Sequence, residues 1–178
     1  MFPGAFDQRC RPNLLFCKDQ RPLAARNDVL VFLTPPLAND TEVTGTAVVN
    51  LWASSSAADT DFTAKLVDVY PPSADFPAGV ELNVVDSIVR ARYRDSLEKA
   101  SLMQPGQVYR FQIRMYPTSL VFARGHRIRL DISSSNYPEF EPNPNTGEPA
   151  GSPTHRVKAR NTVYHDSSRP SYLELPAL

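Results

Sequence analysis

The sequence predicts an all-β fold in which two antiparallel sheets pack against each other. Apolar and polar residues alternate with a period of two in several segments, which is typical of strands with one buried face. The 178 residues include seventeen prolines and only seven glycines. Each proline removes a backbone donor and fixes φ, so long helices are hard to place. A chain of this length suits one domain of about 16 Å radius of gyration, and half-buried strands need a second sheet to cover them.

Three strands are predicted in the first part of the chain, over residues 29–33, 46–54 and 62–70. The second has the clearest alternation, and its apolar residues share one parity. Its predicted buried face consists of Ala47, Val49, Leu51 and Ala53. In the third strand the parity changes near Leu66 and Val67, which predicts a β-bulge at this point.

The middle of the chain predicts two more strands and one segment that could be helical. The strands cover residues 84–93 and 107–116, and the second alternates strictly. Its predicted buried face consists of Tyr109, Phe111, Ile113 and Met115. A helix is expected only over residues 95–103, and it would end within a few turns because Pro105 and Gly106 follow.

Four further strands are predicted over residues 119–123, 125–133, 162–164 and 172–175. In the second of these, the residues expected to face the core are Ile128, Leu130 and Ile132. Residues 136–153 are rich in proline and glycine and lack any strand pattern. They are predicted to form a long loop.

The chain divides into a connecting arm over residues 1–25 and a β-sandwich domain over residues 26–178, because the first residues have only weak periodicity. Cys10 and Cys17 are interpreted as two unrelated loop thiols. A local disulfide is the alternative, and a metal site would need ligands that no nearby histidine supplies. Since no signal peptide is recognisable, a cytoplasmic location is expected unless the chain is a fragment of a larger secreted protein.

The charge balance argues against two classes of partner. Nineteen basic and nineteen acidic residues cancel, so the positive surface of a nucleic-acid binder is not expected. No apolar run approaches the roughly 18 residues that cross a bilayer. Arg90, Arg92 and Arg94 alternate along one predicted strand face and could form a basic patch. Because acidic residues such as Asp86 and Asp131 are equally frequent, these arginines are predicted to form surface ion pairs.

The common signatures of a catalytic site do not occur in the sequence. It contains no G-x-S-x-G, H-E-x-x-H, P-loop or G-x-G-x-x-G motif. None of the three histidines, His126, His155 and His165, lies in a recognisable motif with a nucleophile. No catalytic residue and no cofactor is therefore predicted.

Two polar segments resemble sites only faintly. The serines at positions 54–56, followed by Asp59 and Asp61, could supply a nucleophile and an acid, but they are interpreted as a strand end and a turn. Three alternate residues with side-chain oxygens precede Gly147 and faintly resemble a calcium loop: Glu141, Asn143 and Asn145. The closing glutamate of such a loop is missing, so no metal site is predicted.

Two aromatic residues are candidates for an interface. Trp52 has the non-core parity of its strand. This position is typical of a residue that stacks on a sugar or of one that another domain covers. Tyr137 lies in the predicted long loop. A free-standing carbohydrate-binding module that uses these two residues is therefore one candidate function.

Several long motifs together resemble one known domain. They are NDVLVFLTPPL at 27–37, TEVTG at 41–45, LWASSSAADTDFTAKLVDVYP at 51–71, VRARYRDS at 89–96, GHRIRLDISSSNYPEFEPNPNTG at 125–147 and VYHDSSRPSYLELP at 163–176. In this order, they resemble the C-terminal jelly-roll domain of Xaa-Pro dipeptidyl-peptidases, cocaine-esterase-type acyl hydrolases and α-amino acid ester hydrolases. The resemblance covers nearly the whole chain.

The resemblance implies a two-sheet antiparallel jelly-roll sandwich with a galactose-binding-like fold. It also implies that the parent protein is a serine hydrolase whose catalytic residues all lie in an upstream α/β-hydrolase domain. The present chain would be a non-catalytic module that packs on that domain and borders its active site. A further hypothesis is that the chain forms a homo-oligomer through the surface that the hydrolase domain would cover.

Overall fold

The computed structural model describes residues 19–149 and 155–177, and Cys10 and Cys17 lie outside these ranges. Within them the chain forms one short helix, one 3₁₀ turn and a series of strands. In chain order these are α1 (Arg21–Ala24), β1 (Leu30–Leu33), β2 (Thr41–Ser55), β3 (Asp61–Tyr70), β4 (Val80–Arg90), the 3₁₀ turn (Ala91–Tyr93), β5 (Val108–Phe122), β6 (Arg127–Ser133), β7 (Asn161–Tyr164) and β8 (Tyr172–Glu174).

The strands form two antiparallel sheets, which confirms the predicted jelly-roll sandwich. The first sheet has the order β1-β6-β3-β4, and in the second β2 lies between β5 and β7. The short strand β8 also pairs with β2, beside β7. The two edges of β2 are thus occupied by β5 on one side and by the two C-terminal strands on the other.

The core lies between the two sheets. Phe62 of β3 and Phe111 of β5 meet across it, with ring centroids 4.8 Å apart. The predicted inward-facing residues of β2 are all buried, as are most of those in β5 and β6. The opposite face of β2 is also largely buried, and there Asn50 hydrogen-bonds Arg110 on β5 and Glu174 on β8. Alternation therefore identified the core face correctly, but it underestimated how much of β2 is covered.

The predicted bulge in β3 is confirmed, because the register between β3 and β4 shifts between Leu66 and Val67. The predicted separation of strands 107–116 and 119–123 is wrong. Both belong to the single strand β5, which continues through Pro117. Since β5 is at the edge of its sheet, the missing N–H of a proline can be tolerated there.

The helix expected over residues 95–103 does not form. Ser96 Oγ accepts hydrogen bonds from the N–H groups of Glu98 and Lys99, which folds the chain into a turn. The Ser101 N–H then donates to the Arg92 carbonyl at 2.7 Å. The strand predicted over residues 84–93 begins and ends earlier in the structure. It is β4, which covers Val80–Arg90, and the chain then leaves the sheet in the 3₁₀ turn.

The three alternating arginines do not share one strand face. Arg90 ends β4 and pairs with Asp61, whereas Arg92 lies in the 3₁₀ turn and pairs with the buried Asp59. Arg94 stacks on the Tyr109 ring with its guanidinium carbon 4.4 Å from the centroid. The predicted ion pairing is correct for all three arginines, since Arg94 Nε also lies 3.3 Å from Asp95 Oδ2, but the pair of Arg92 is buried and not on the surface. The change from strand to 3₁₀ turn turns Arg92 inward.

The described part of the arm packs on the first sheet. The Gln20 N–H donates to the Glu81 carbonyl at 2.8 Å, and Gln20 is buried. Arg129 donates to the Gln20 carbonyl at 3.2 Å and pairs with Asp131 and Glu81. This buried arginine therefore joins the arm, β4 and β6. The division of the chain at residue 25 stays a prediction.

Candidate functional site

Strand β1 presents an unusual surface for an edge strand. Its four residues, Leu30, Val31, Phe32 and Leu33, are all apolar, and each is between 37% and 50% exposed. Within the described residues β1 pairs only with β6, so its second edge has no strand partner. Exposed apolar edge strands favour pairing or association unless another element covers them. We call these four residues the apolar edge.

A pocket of about 270 Å³ lies beside the apolar edge, in the gap between the two sheets. Phe32 and Leu33 form one wall, and Tyr172 and Leu173 of β8 lie on the other. The Phe32 ring meets the His165 ring edge-on, with centroids 6.2 Å apart. The lining is almost entirely aliphatic and aromatic, so this inter-sheet pocket is suited to receive an apolar side chain.

A larger cleft of about 1040 Å³, which we call the polar cleft, begins beside Leu30 at the start of β1. It is bordered by the arm, by strands β3 and β4, and by the loop that follows β6. Leu30 lines this cleft, whereas Phe32 lines the inter-sheet pocket. Ile132 and Val163 line both cavities. The apolar edge, the inter-sheet pocket and the polar cleft are therefore parts of one continuous side of the sandwich.

The polar cleft contains a cluster of ionisable groups, which we call the carboxyl cluster. Lys65 Nζ lies 3.6 Å from Asp86 Oδ2, and Asn83 Nδ2 donates to the same oxygen at 3.2 Å. Glu139 reaches this cluster from the loop after β6 and hydrogen-bonds Asp86. The pKa of Glu139 is raised to about 7. Burial is the largest cause, and the adjacent Asp86 charge is the next. Glu139 thus joins β4 to the loop after β6 through its hydrogen bond to Asp86.

A second polar network fixes the loop that the sequence suggested as a faint calcium site. Asn143 Nδ2 donates to Asp59 Oδ2 at 2.9 Å and to Asp61 Oδ1 at 2.8 Å. Arg90 and Arg92 donate to the carbonyls of Glu141 and Glu148 in the same loop. The carboxylates of Asp59 and Asp61 are therefore occupied by guanidinium and amide donors. Among residues 19–149 and 155–177, no group of three His, Cys, Asp or Glu side chains is placed to hold a metal ion.

His126 is held by an aspartate and an aromatic ring. His126 Nδ1 lies 2.9 Å from Asp68 Oδ1, and the Tyr70 ring packs on the imidazole with centroids 4.2 Å apart. No hydrogen bond recorded between described residues joins His126 to a serine. Burial raises the pKa of Asp68, and the bond to His126 opposes that rise. The contacts of His126 with Asp68 and Tyr70 thus join β3 to the loop that precedes β6.

The structure separates the two predicted interface residues. Trp52 lies in β2 between Arg110 of β5 and Tyr164 of β7, and it is half-buried. Its backbone N–H donates to Ser171 Oγ at 2.9 Å. Tyr137 borders the polar cleft and is 73% exposed. The two residues therefore do not form one platform, and their role as an interface stays a prediction.

Sequence reasoning missed both the apolar edge and the carboxyl cluster. The apolar edge did have a signal, since LVFL at 30–33 is apolar at both parities. A two-sided apolar strand is expected either in the centre of a sheet or under another domain. The carboxyl cluster combines residues from β3, β4 and the loop after β6. No spacing within the sequence brings these residues together.

Two antiparallel sheets around one core, with an exposed apolar strand at the edge of one of them, define the class of fold: an all-β sandwich. The model of the X-Pro dipeptidyl-peptidase C-terminal non-catalytic domain matches residues 7–174, and the chain belongs to this family. The chain is 43% identical over 162 residues to cocaine esterase of Rhodococcus sp. (strain MB1 Bresler), covering 90% of this chain and 27% of that protein.

Solved structures agree with this assignment. An α-amino acid ester hydrolase has a TM-score of 0.84 at 37% identity, with 90% of this chain and 27% of that chain covered. An aminopeptidase from a marine sediment archaeon, Thaumarchaeota archaeon, has a TM-score of 0.86 at 29% identity, with 99% and 31% covered. The chain thus spans between a quarter and a third of the relatives described here. In the described residues no helix is long and apolar enough to cross a membrane.

Proposed function

We propose that the chain is the accessory domain of a serine hydrolase and packs on an α/β-hydrolase domain through the apolar edge and the inter-sheet pocket. The observation that carries this proposal is the exposure of all four residues of β1. Exposure of these apolar side chains to water is unfavourable, and their burial against a second domain removes this unfavourable free energy. The catalytic residues of the parent protein would then all lie outside this chain.

The position of the arm supports the choice of this side. The family is defined as a C-terminal domain, so the rest of a relative precedes the matched part. The arm of this chain borders the polar cleft and leads directly into β1. The first described residues, from Asp19 onward, thus lie on the same side of the sandwich as the apolar edge, and we propose that a preceding domain docks on this side.

Docking at the apolar edge would also place the polar cleft beside the hydrolase domain, since Ile132 and Val163 line both cavities. We therefore propose that the cleft wall borders the entrance of the active site. The cocaine esterase and the α-amino acid ester hydrolase among the relatives are esterases by name. Ester hydrolysis by the parent of this chain is accordingly part of the proposal.

A chimera tests the docking surface. The present chain replaces the matching region of the Rhodococcus cocaine esterase, and thermal unfolding is followed by calorimetry. We expect one cooperative transition when the two domains dock. Leu33→Asp places a charge on the apolar edge. It should divide the single transition into two or lower its midpoint temperature. Val121→Asp is the matched control, because Val121 is also 50% exposed but lies on β5.

Equal effects of Leu33→Asp and Val121→Asp would contradict docking through the apolar edge. A second measurement tests the non-catalytic role. The present chain alone should not hydrolyse p-nitrophenyl esters or Xaa-Pro anilides. Turnover that a serine-directed inhibitor abolishes would show that the chain carries its own nucleophile.

A further inference from the structure

The free side of β1 exposes backbone groups as well as apolar side chains. The Thr34 N–H, directly after β1, donates to the Ile128 carbonyl of β6 at 3.0 Å. The register of β1 with β6 continues from this point along the whole of β1 without a shift. In an antiparallel ladder, consecutive residues direct their N–H and C=O groups to opposite sides of the strand. The backbone groups of Val31 and Leu33 therefore point away from β6.

These backbone groups need partners if another domain covers the apolar edge. No strand among residues 19–149 and 155–177 pairs with the side of β1 opposite β6. Water can satisfy exposed N–H and C=O groups, but a docked domain removes this water. Each group left without a partner would then oppose docking. A surface that covers β1 is therefore expected to supply both hydrogen-bond donors and acceptors along the strand.

The other long edge strands differ from β1. The edge strand β5 contains Pro117 and exposes Arg110 and Arg114. At the edge strand β4, the Gln20 N–H of the arm donates to the Glu81 carbonyl at 2.8 Å. Strand β1 contains no charged residue, no proline and no register shift. Charges, prolines, bulges and covering segments keep edge strands from pairing, so β1 is the edge best suited to accept another strand.

The inter-sheet pocket complements such a strand. In a strand that pairs with β1, every second side chain would lie on the same face of the sheet as Phe32. On this face, Phe32 lines the pocket of about 270 Å³ together with Leu51 of β2 and Leu173 of β8. The surface therefore fits an extended segment that places an apolar side chain in the pocket and pairs its backbone with β1.

We propose that β1 pairs with an extended strand of the preceding hydrolase domain, which continues the first sheet across the boundary between the two domains. Its backbone bonds the outward groups of Val31 and Leu33, and one of its apolar side chains enters the inter-sheet pocket. Pro35 and Pro36 follow β1 closely and limit this pairing to a short strand.

The preceding domain is favoured over a second copy as the partner of β1. The arm lines the cleft that begins beside Leu30, and in this family the rest of a relative precedes the matched part. The inference rests on the proposed docking through the apolar edge, and it specifies the kind of segment that docks.

Leu33→Pro tests the pairing in the chimera with the Rhodococcus cocaine esterase. Proline removes the outward N–H and keeps an apolar side chain. Leu33→Val is the matched control, because valine has as many side-chain carbons as proline and keeps the N–H. Calorimetry of the chimera should show a larger loss of the docked transition for Leu33→Pro. In the isolated chain the two variants should unfold within about 2 °C of each other, because this N–H faces water there.

Hydrogen exchange at single-residue resolution provides a second measurement. The Val31 and Leu33 amides should exchange at least about tenfold more slowly in the chimera than in the isolated chain, diluted until light scattering shows a monomer. The Phe32 amide is the internal control, because it points to β6 and should be protected in both proteins.

The possible outcomes separate the pairing from the docking. Equal effects of Leu33→Pro and Leu33→Val, with Val31 and Leu33 amides that exchange rapidly in the chimera, would show that no strand pairs with β1. If Leu33→Asp still weakens docking in that case, the docking surface is correct and only the pairing is wrong. Equal effects of Leu33→Asp and Val121→Asp would contradict both. Equal protection of the two amides in a dimeric isolated chain would assign β1 to a second copy and overturn the proposal.

Discussion

Arg92 Nε donates to Asp59 Oδ2 at 2.7 Å, and both residues are almost excluded from solvent. The backbone N–H of Arg92 also donates to Asp59 Oδ1 at 2.9 Å. Removal of the carboxylate in Asp59→Ala would leave the guanidinium buried without its partner. We expect the free energy of unfolding to fall by about 3–5 kcal/mol, as measured by urea denaturation.

An exposed ion pair provides the control for this measurement. Arg26 and Asp28 pair at 2.6 Å, but both side chains are more than half exposed. Asp28→Ala should therefore cost only about 0–1 kcal/mol. If the two alanine variants lose the same stability, burial does not determine the effect and the prediction for Asp59 is wrong.

The carboxyl cluster predicts a pH dependence of stability. The folded pKa of Glu139 is about 7, above its usual value of 4.5. Between these two values the folded state keeps a proton that the unfolded state releases. The free energy of unfolding should therefore fall as the pH rises from about 4.5 towards about 7 and then level off.

Glu139→Gln tests this dependence, because glutamine keeps the shape of the side chain and does not titrate. Urea denaturation of both proteins at several pH values within this range measures the difference. The variant should lose less stability than the parent protein as the pH rises. The same slope in both proteins would show that another group titrates.

The aromatic contact between the sheets predicts a large effect on stability. Phe111 is 1% exposed, and its ring packs on Phe62 of the other sheet. Phe111→Ala should lower the free energy of unfolding by about 3–5 kcal/mol, because it creates a cavity between the sheets. Tyr116→Ala on the exposed face of the same strand should change it by less than about 0.5 kcal/mol. Chemical denaturation of both variants provides the comparison.

The apolar edge predicts self-association of the isolated chain. Without a covering domain, β1 exposes four apolar residues on an edge that no other strand of residues 19–149 and 155–177 pairs with. Light scattering should show a mass that increases with protein concentration, and Leu33→Lys should shift the chain towards the monomer. Val121→Lys, which adds the same charge on β5, should not. A monomer at every concentration would contradict this prediction.

Much of the fold could be predicted from local alternation. The inward residues of β2 and the bulge at Leu66 and Val67 follow from the period of two and its interruption. The continuity of β5 through Pro117 could not be predicted, because it depends on that strand lying at a sheet edge. The position of Arg92 likewise depends on Asp59, which is distant in sequence.

The candidate site was less predictable than the fold. The motifs resembling the hydrolase-associated jelly roll correctly indicated the family. They did not indicate which surface is uncovered, because exposure of β1 follows from its place at the sheet edge. The carboxyl cluster requires the packing of Lys65, Asp86 and Glu139 from separate segments. The cytoplasmic location stays a prediction.

The pairing of β2 constrains the order of events during synthesis. The Thr44 N–H donates to the Pro176 carbonyl at 3.1 Å, and β8 pairs with the middle of β2. On one side, β2 can therefore pair only after residues that are translated more than a hundred codons later have been synthesised. Until these residues leave the ribosomal tunnel, the nascent domain has an incomplete second sheet, and chaperones have a defined surface to protect.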